Sequence, residues 1–328
     1  MTRLRRYASE LLLVVLIVLA AIASSAMSPY FLDPANLLNA AQFFVIFALM
    51  AFGLFPIVVQ GEIDISLAST LAIGSVLFAT LAVSGVPLVA AVALVLLGTA
   101  LLGVVNGVLV GYGGLPSLAV TLGTLGAYRG LAYLLAGDAG VVGIPEEYLL
   151  FGATKVGPVP VSLLLVLAVA AVFTVLMGAT SFGRYSYAIG SSPSAARMAA
   201  VPVNRVRVLA YALGGAMAGL AGIVWVSQYQ SARGDNADGA ILFVLTAVVL
   251  GGISIKGGSG RALGVLLATI LLGTIQTGMK LANVPGTSQT LVVGALLIGA
   301  VGLPRVVSML RQRFGAPLPS RAQGGGQA

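Results

Sequence analysis

Long apolar runs separated by short polar segments dominate the chain. A membrane-spanning helix needs about 20 apolar residues, and ten runs come close to that length or exceed it. They predict helices at roughly 11–27, 37–60, 65–84, 86–110, 117–136, 160–178, 209–226, 240–252, 261–280 and 287–303. The eighth run is short, which favours a broken or re-entrant element over a full crossing. The pattern therefore predicts an all-α polytopic membrane protein, a bundle of about ten transmembrane helices.

The charged residues test this arrangement. If the N-terminus is inside and each run crosses once, thirteen of the 17 Lys and Arg residues fall in inner segments: Arg3, Arg5, Arg6, Arg184, Arg197, Arg205, Arg207, Lys256, Arg261, Arg305, Arg311, Arg313 and Arg321. The larger outer loops carry Asp33, Asp138, Glu146, Glu147, Asp235 and Asp238. Positive residues accumulate in cytoplasmic loops. We therefore expect a multi-pass protein of the plasma (inner) membrane with both termini in the cytoplasm.

These boundaries divide the chain into three parts. Residues 1–10 form a cytoplasmic N-terminus, residues 11–305 the transmembrane domain, and residues 306–328 a cytoplasmic tail. The end of the tail, 317–328, is rich in Pro, Gly and Gln, and we expect residues 306–328 to be disordered. The first apolar run also resembles a signal peptide, but the repeated return of the chain to the membrane favours an uncleaved helix.

The composition excludes several kinds of chemistry. Only 8 % of the residues are charged and the mean hydropathy is +1.07, whereas a soluble domain has roughly 25 % charged residues. The chain has no Cys and no His, so it lacks thiolate ligands, disulfides and the commonest general base. We expect no catalytic residues, no metal site and no cofactor. The basic residues do not cluster on one surface, so nucleic acid is not an expected partner.

Glycine is the second compositional signal, with 43 residues. Two runs carry glycines that recur along one side of a helix: Gly98, Gly103, Gly107 and Gly111 in the fourth, and Gly214, Gly215, Gly219 and Gly222 in the seventh. In lipid, small residues let helix backbones approach closely. These glycines predict tightly packed helix faces.

The glycine-rich segment 251–261 is not a nucleotide-binding loop. A Walker A loop needs Lys followed by Ser or Thr, but Lys256 is followed by Gly257. A flexible inner turn is the better interpretation. If transport by this chain uses ATP, the hydrolysis takes place on another subunit.

Four segments resemble a known family: Glu62 to Ser66, Val120 to Gly130, Ser181 to Gly190, and Val249 to Gly260. Their order and intervals, from about residue 10 to 305, are similar to those of the permease subunits of ATP-binding-cassette sugar importers, in the ribose/xylose/rhamnose/autoinducer-2 branch. The resemblance implies the importer permease fold. It also implies three protein partners: a cytoplasmic ATPase, an extracytoplasmic solute-binding protein, and a second permease copy or paralogue. The binding protein would meet the outer loops, including 137–159 and 227–239.

The longest inner loop, 179–208, predicts a short helix. Ser192 and Pro193 are a good N-cap and first-turn pair, and Pro202 ends the element. It could be an ordinary linker helix. By resemblance it would be the coupling helix that docks into the ATPase, with contacts from Ser194, Ala195, Ala196, Arg197 and Ala200. Family members tend to have Glu in place of Ser194 and Gly near the end, where this chain has Ala200.

Polar residues in or near the spans are candidates for the translocation path or its gate: Asp64, Thr121, Thr124, Tyr128 and Arg129. Thr121, Thr124 and Tyr128 share one helix face. Arg129 lies within the fifth span, where a charge is a functional-site hypothesis by default, although it could instead snorkel to the outer headgroups. Asp64 could alternatively cap the third helix. Asn106 and Gln276 predict interhelical hydrogen bonds.

These observations favour a non-catalytic permease of a binding-protein-dependent, ATP-driven importer, which forms the path for a monosaccharide or sugar-like solute. The alternative is an ion-coupled secondary transporter of a small polar solute. Proton relays normally use acidic or His side chains within the spans, and the predicted spans place none at their centres. A Na⁺ site made of carbonyls and hydroxyls would survive that objection. An intramembrane enzyme would need an acid/base pair that the chain does not display.

Overall fold

Helices occupy all ten predicted apolar runs. The computed structural model describes residues 8–314. In chain order its α-helices are α1 Ala8–Met27, α2 Pro34–Val59, α3 Leu67–Val83, α4 Leu88–Gly111, α5 Ser117–Ala136, α6 Leu150–Ala153, α7 Val161–Ala179, α8 Ser181–Ser191, α9 Pro193–Met198, α10 Val203–Tyr229, α11 Ala240–Leu250, α12 Ala262–Leu281 and α13 Gly286–Phe314. Within the described residues, seven helices are long and apolar enough to cross a membrane. The all-α polytopic fold class is confirmed.

The last helix extends further than expected. We placed the end of the transmembrane domain at residue 305, but α13 continues to Phe314, so residues 306–314 are helical and not part of a disordered tail. The predicted disorder of the remaining tail falls on residues 315–328, which lie outside the described residues. Most of the predicted N-terminal segment, residues 1–7, also lies outside them.

Helix α2 forms the centre of the bundle. Every residue from Ala48 to Val59 is buried, whereas α1 leaves most of its apolar side chains exposed. A helix that is apolar on all sides is expected in the interior of a bundle. The surrounding helices α10, α12, α7 and α11 all contact α2. The peripheral helices such as α1 present their apolar side chains outward, as required of a surface that faces lipid.

Glycines make the contact between α4 and α10 very close. Gly103 lies against the Tyr211 carbonyl, so a Cβ there would overlap it, and a Cβ on Gly107 would lie 2.7 Å from the Val208 Cα. From the other side, Gly215 lies against the Thr99 carbonyl. The predicted glycine faces are therefore confirmed as packing surfaces. On α10, Gly215 and Gly219 lie against α4, whereas Gly214 faces α2 and Gly222 faces α3.

The connections gather at two ends of the bundle. We call the end with 60–66, 180–202 and 251–261 the inner end, and the end with 137–160 and 230–239 the outer end. Two small antiparallel ladders cover the outer end: β1 Val141–Val142 with β4 Ser231–Ala232, and β2 Lys155–Val156 with β3 Val159–Pro160. Loops predicted on the same side of the membrane thus lie together. The orientation of the inner end toward the cytoplasm remains a prediction.

Helix α11 is too short to cross a membrane. Its 11 residues rise about 16 Å, against a hydrocarbon core of roughly 30 Å. The outer loop before it makes up part of the difference, because the side chain of Asn236 hydrogen-bonds to Ser75 in the middle of α3 at 2.9 Å. The broken or re-entrant eighth element predicted from the sequence is therefore a short helix that follows a descending loop.

Candidate functional site

The inner loop contains the predicted short helix, α9. The Ser192 hydroxyl accepts a hydrogen bond from the Ala195 amide at 3.3 Å, as expected of an N-cap. At the other end the Val201 amide donates to the Ala196 carbonyl and the Ala200 amide to the Arg197 carbonyl, both at 3.0 Å. These two bonds form a Schellman motif, in which the residue in the position of Ala200 adopts the left-handed conformation. Its φ is +57°.

Only one side of α9 is available to a partner. Ser194, Ala195, Arg197 and Ala200 are exposed, as is Met198, at 90 % of its surface. Ala196 is 3 % exposed and packs with Ile189, Val203 and Val206 of the same chain. A contact between Ala196 and an ATPase stays a prediction, and the Ala196 side chain packs on its own chain. Of the five predicted contact residues, helical geometry turns only Ala196 toward its own chain, where its side chain supports the loop.

Replacing Ala200 by glycine should stabilise this loop. A left-handed residue with a Cβ costs roughly 1–2 kcal/mol, while glycine adds up to about 1 kcal/mol of unfolded-chain entropy. We expect a net gain of at most about 1 kcal/mol. The measurement is hydrogen exchange at the amides of Ala200 and Val201, which should slow in Ala200→Gly and be unchanged on α2. Faster exchange at these amides would contradict the left-handed assignment.

Glycines join α8 to the rest of the inner end. We call Gly61, Gly190, Gly257 and Gly258 the glycine junction. The Gly258 amide donates to the Val59 carbonyl at 2.8 Å, and Gly190 lies directly against both partners, so a Cβ there would overlap them. Gly61, Gly257 and Gly258 have φ near +80°, a conformation that glycine adopts readily. Parts of three of the four family-like segments meet here or next to it.

The junction has a mechanical consequence. α8 leads directly into α9, and at Gly190 its contacts with the end of α2 and with the turn after α11 are backbone contacts. The Ser186 hydroxyl on α8 also accepts a hydrogen bond from Gln60 Nε2, directly after α2, at 3.2 Å. The Tyr187 hydroxyl adds a hydrogen bond to the Gly260 carbonyl at 2.9 Å. Closely packed elements transmit displacement because they cannot be compressed. A partner that moves α9 would therefore move α2 and α11.

Asp64 lies at the centre of a buried polar network beside the junction. It is 1 % exposed and accepts hydrogen bonds from the Ser66 amide at 2.8 Å and the Ser66 hydroxyl at 2.6 Å. Asn106 on α4 donates to the same hydroxyl at 2.9 Å. Burial raises the pKa of Asp64 to about 6, and the bonds from Ser66 and Asn106 offset this only in part. Ser66 is the N-cap residue of α3, so Asp64 orients the start of that helix.

The residues predicted to share one face of α5 have separate roles. The Thr121 hydroxyl donates to the Ile63 carbonyl at 3.3 Å, and the Tyr128 hydroxyl donates to the Leu102 carbonyl at 3.0 Å. Both residues are buried, and they attach α5 to the Asp64 turn and to α4. Thr124 bonds to carbonyls of its own helix. The predicted interhelical bond of Asn106 is confirmed.

Arg129 binds the outer loop. Its guanidinium donates to the Gly234 carbonyl at 2.7 Å and the Asn236 carbonyl at 2.8 Å, and lies 3.9 Å from the Asp238 carboxylate. Its side chain is 16 % exposed. The charge is therefore bound by protein carbonyls of segment 230–239. Asn236 also attaches the loop. When its amide is oriented with the oxygen toward the neighbouring donors, that oxygen accepts hydrogen bonds from Trp225 Nε1 at 3.2 Å and from the Ser75 hydroxyl.

We expect Arg129→Ala to release this loop. Hydrogen bonds from a charged donor contribute roughly 1.5–3 kcal/mol, and two carbonyls would lose their partner. Hydrogen exchange in 231–239 should become at least tenfold faster, with exchange on α2 unchanged. Arg233→Ala is the control, since the Arg233–Asp235 pair is exposed. Equal protection in Arg129→Ala and the parent protein would contradict the anchoring role.

The ion pair between Arg207 and Glu62 was not predicted from the sequence. Arg207 on α10 lies 2.7 Å from Glu62, and both side chains are mostly buried. The sequence places these residues far apart, so no local spacing signals the pair; only the helix packing brings them together.

For Gln276 the sequence predicted an interhelical hydrogen bond. Its Oε1 has no hydrogen-bond partner among the described residues, so the predicted interhelical bond is not observed for that atom.

Comparisons with known proteins cover nearly the whole chain. Residues 36–301 match the family described as branched-chain amino acid transport system / permease component. The autoinducer 2 import system permease protein LsrD of Escherichia coli strain K12 is 38 % identical over 97 % of this chain and 98 % of its own length. The Shigella flexneri protein of that name has the same identity and coverage, and that of E. coli O157:H7 is 37 % identical. No solved structure matches the chain.

Proposed function

This chain belongs to the family of transport-system permease components, and from that premise we propose that it is the membrane subunit of a binding-protein-dependent, ATP-driven importer of a monosaccharide or sugar-like solute. The observation that carries the proposal is the end-to-end similarity to permeases of an autoinducer 2 import system. It covers the spans, the inner loop with α9 and the outer loops together. No observation favours the ion-coupled alternative.

The proposed docking site for a cytoplasmic ATPase is the exposed side of α9. Ser194, Arg197 and Met198 face outward on a helix that is capped at both ends, and α9 is too short to be stable by itself in water. Its own chain holds it in place through Ala196. A partner cleft that receives this side would gain contact with a preformed surface. ATP binding and hydrolysis on that partner would then move α8 and the glycine junction.

The solute-binding protein is proposed to meet the outer end. There the loops 137–160 and 230–239 are joined by the β1–β4 ladder and held by Arg129. A surface that receives a protein must be ordered beforehand, because ordering it on contact would weaken binding. The outer loops meet this requirement. The second permease subunit, a copy or a paralogue, would complete the path, with both termini in the cytoplasm.

The test is purification of the tagged chain from its native membrane in mild detergent, with identification of co-purifying proteins. We expect a soluble ATPase near one copy per permease, together with ATP-dependent solute uptake after reconstitution with the binding protein. A folded oligomer without an ATPase that moves solute down an ion gradient would overturn the proposal in favour of the secondary transporter.

A further inference from the structure

A cavity of about 450 Å³ opens between the outer loop and the helices below it. We call it the outer vestibule and define it by Phe43 and Phe47 of α2, Trp225 of α10, Phe243 of α11, Gln276 of α12 and Asn236 of the outer loop. Small-molecule sites have volumes of roughly 300–1,000 Å³ and combine apolar walls with a few polar groups. The vestibule has both properties.

Aromatic rings form a continuous wall of the vestibule. The ring centroids of Phe47 and Phe243 are 4.7 Å apart, and those of Phe43 and Phe47 are 5.1 Å apart. Trp225 is held in place by its N–H bond to Asn236 at 3.2 Å. Rings fixed in this way lose little conformational entropy when a ligand packs on them. They provide a rigid apolar surface for a flat, partly apolar solute.

The polar groups in the wall are amides. Asn236 lies among the rings, and Gln276 lines the same cavity with an Oε1 that has no partner among the described residues. Amides both donate and accept hydrogen bonds, as do the hydroxyls of a polyol.

The charged residues that line the vestibule are confined to its rim and are already paired in the described chain. Arg233 Nε lies 3.0 Å from an oxygen of Asp235, and Asp238 lies near Arg129. A zwitterionic solute such as an amino acid would need two charged partners of its own in a site shielded from water. One further cation lies beside the wall, since Lys280 Nζ is 3.5 Å from the centroid of the Phe43 ring and is stabilised by that ring. The other groups of the interior are rings and amides, which suit a neutral ligand.

We propose that the outer vestibule is the entry site for a neutral cyclic polyhydroxylated solute, whose C–H face packs on Phe47 and Phe243 and whose hydroxyls bond to Gln276 and Asn236. This inference rests on the proposed function and adds the site and its ligand class. It assigns Arg129 an indirect, positioning role, since Arg129 holds the loop that forms the roof. It also favours a sugar-like ligand over the branched-chain amino acid named in the family description.

Trp225 is the only tryptophan in the chain, so the emission of the purified full-length chain in lipid nanodiscs reports on this cavity. We would titrate it with D-ribose, D-xylose, L-rhamnose and L-leucine. We expect a saturable change with at least one of the sugars and none with L-leucine. A saturable response to L-leucine alone, or no response to any sugar, would overturn the proposal.

Two substitutions on one helix provide the matched comparison. Phe47→Leu removes a ring of the vestibule but keeps an apolar side chain, whereas Phe44→Leu changes a neighbouring ring that lines a different, apolar cavity. We expect Phe47→Leu to raise the half-saturating sugar concentration roughly three- to tenfold, and Phe44→Leu to leave it unchanged. Equal values in the two variants would overturn the site. ATP-driven uptake by the parent complex, measured alongside, tests the proposed function separately, because import could persist through another path.

Discussion

Gly103→Ala should prevent the bundle from assembling correctly. The new Cβ would overlap the Tyr211 carbonyl on α10, and a backbone atom cannot rotate away as a side chain can. The two helices would have to separate, which would also open the neighbouring contact between Gly215 and Thr99. Overpacking costs typically 1–3 kcal/mol and can cost more, and we expect about 3 kcal/mol here. The measurement is the yield of monodisperse protein after detergent extraction, together with its thermal midpoint.

The same helix offers a matched control. A Cβ on Gly98 would lie 3.6 Å from Leu77 Cδ2, which is an ordinary van der Waals contact. Gly98→Ala should therefore preserve the yield and raise the midpoint slightly, because alanine favours helix over glycine by up to about 1 kcal/mol. If Gly103→Ala were as stable as Gly98→Ala, the close packing of α4 on α10 would be incorrect.

Met198→Asp should abolish transport without unfolding the protein. Met198 is 90 % exposed, so the carboxylate would remain in water and the fold would be unaffected. In the proposed ATPase cleft the same charge would be buried without a partner, which costs several kcal/mol. We expect ATP-driven uptake to fall at least tenfold while the yield and thermal midpoint stay those of the parent. Met198→Leu, which keeps an apolar side chain, should retain uptake.

Ala196→Asp distinguishes docking from folding. Ala196 is buried against Ile189, Val203 and Val206, so an aspartate there would break the attachment of α9 to its own chain. We expect a lower thermal midpoint and faster hydrogen exchange in α9, neither of which Met198→Asp should cause. Normal uptake in Met198→Asp would exclude the exposed side of α9 as the ATPase contact. Unchanged stability in Ala196→Asp would contradict the inward orientation of that residue.

The helices of the bundle were predictable because lipid demands a simple pattern. Backbone groups cannot remain unsatisfied in hydrocarbon, so a helix that crosses the membrane satisfies its own backbone and carries apolar side chains. The ten runs could therefore be identified from the pattern of hydropathy along the chain. The short helix α9 was also predictable from neighbouring residues. Ser192 and Pro193 favour the start of a helix, and Pro202 prevents the helix from continuing. The glycine stripes of α4 and α10 also indicated close packing, although the sequence did not say which faces would meet.

The partners of the polar side chains depended on tertiary structure. Arg129 was a candidate for the path or for the headgroups, but its carbonyl partners in segment 230–239 are about a hundred residues away in sequence. Glu62 and Arg207 also lie far apart in sequence and form an ion pair only in the folded chain. No local pattern encodes such contacts, because they arise only when separate helices have packed.

The sequence by itself determined that this protein is a membrane-embedded helical bundle, since hydropathy and charge placement are properties of neighbouring residues. The importer-permease type was implied by the resemblance of four segments to that family. Only the tertiary structure decided that Ala196 faces inward, that glycines join α8 to α2, and that four aromatic rings and two amides surround one cavity. Those features depend on the distances between elements, and the packing of side chains and backbones sets such distances only once the chain has folded.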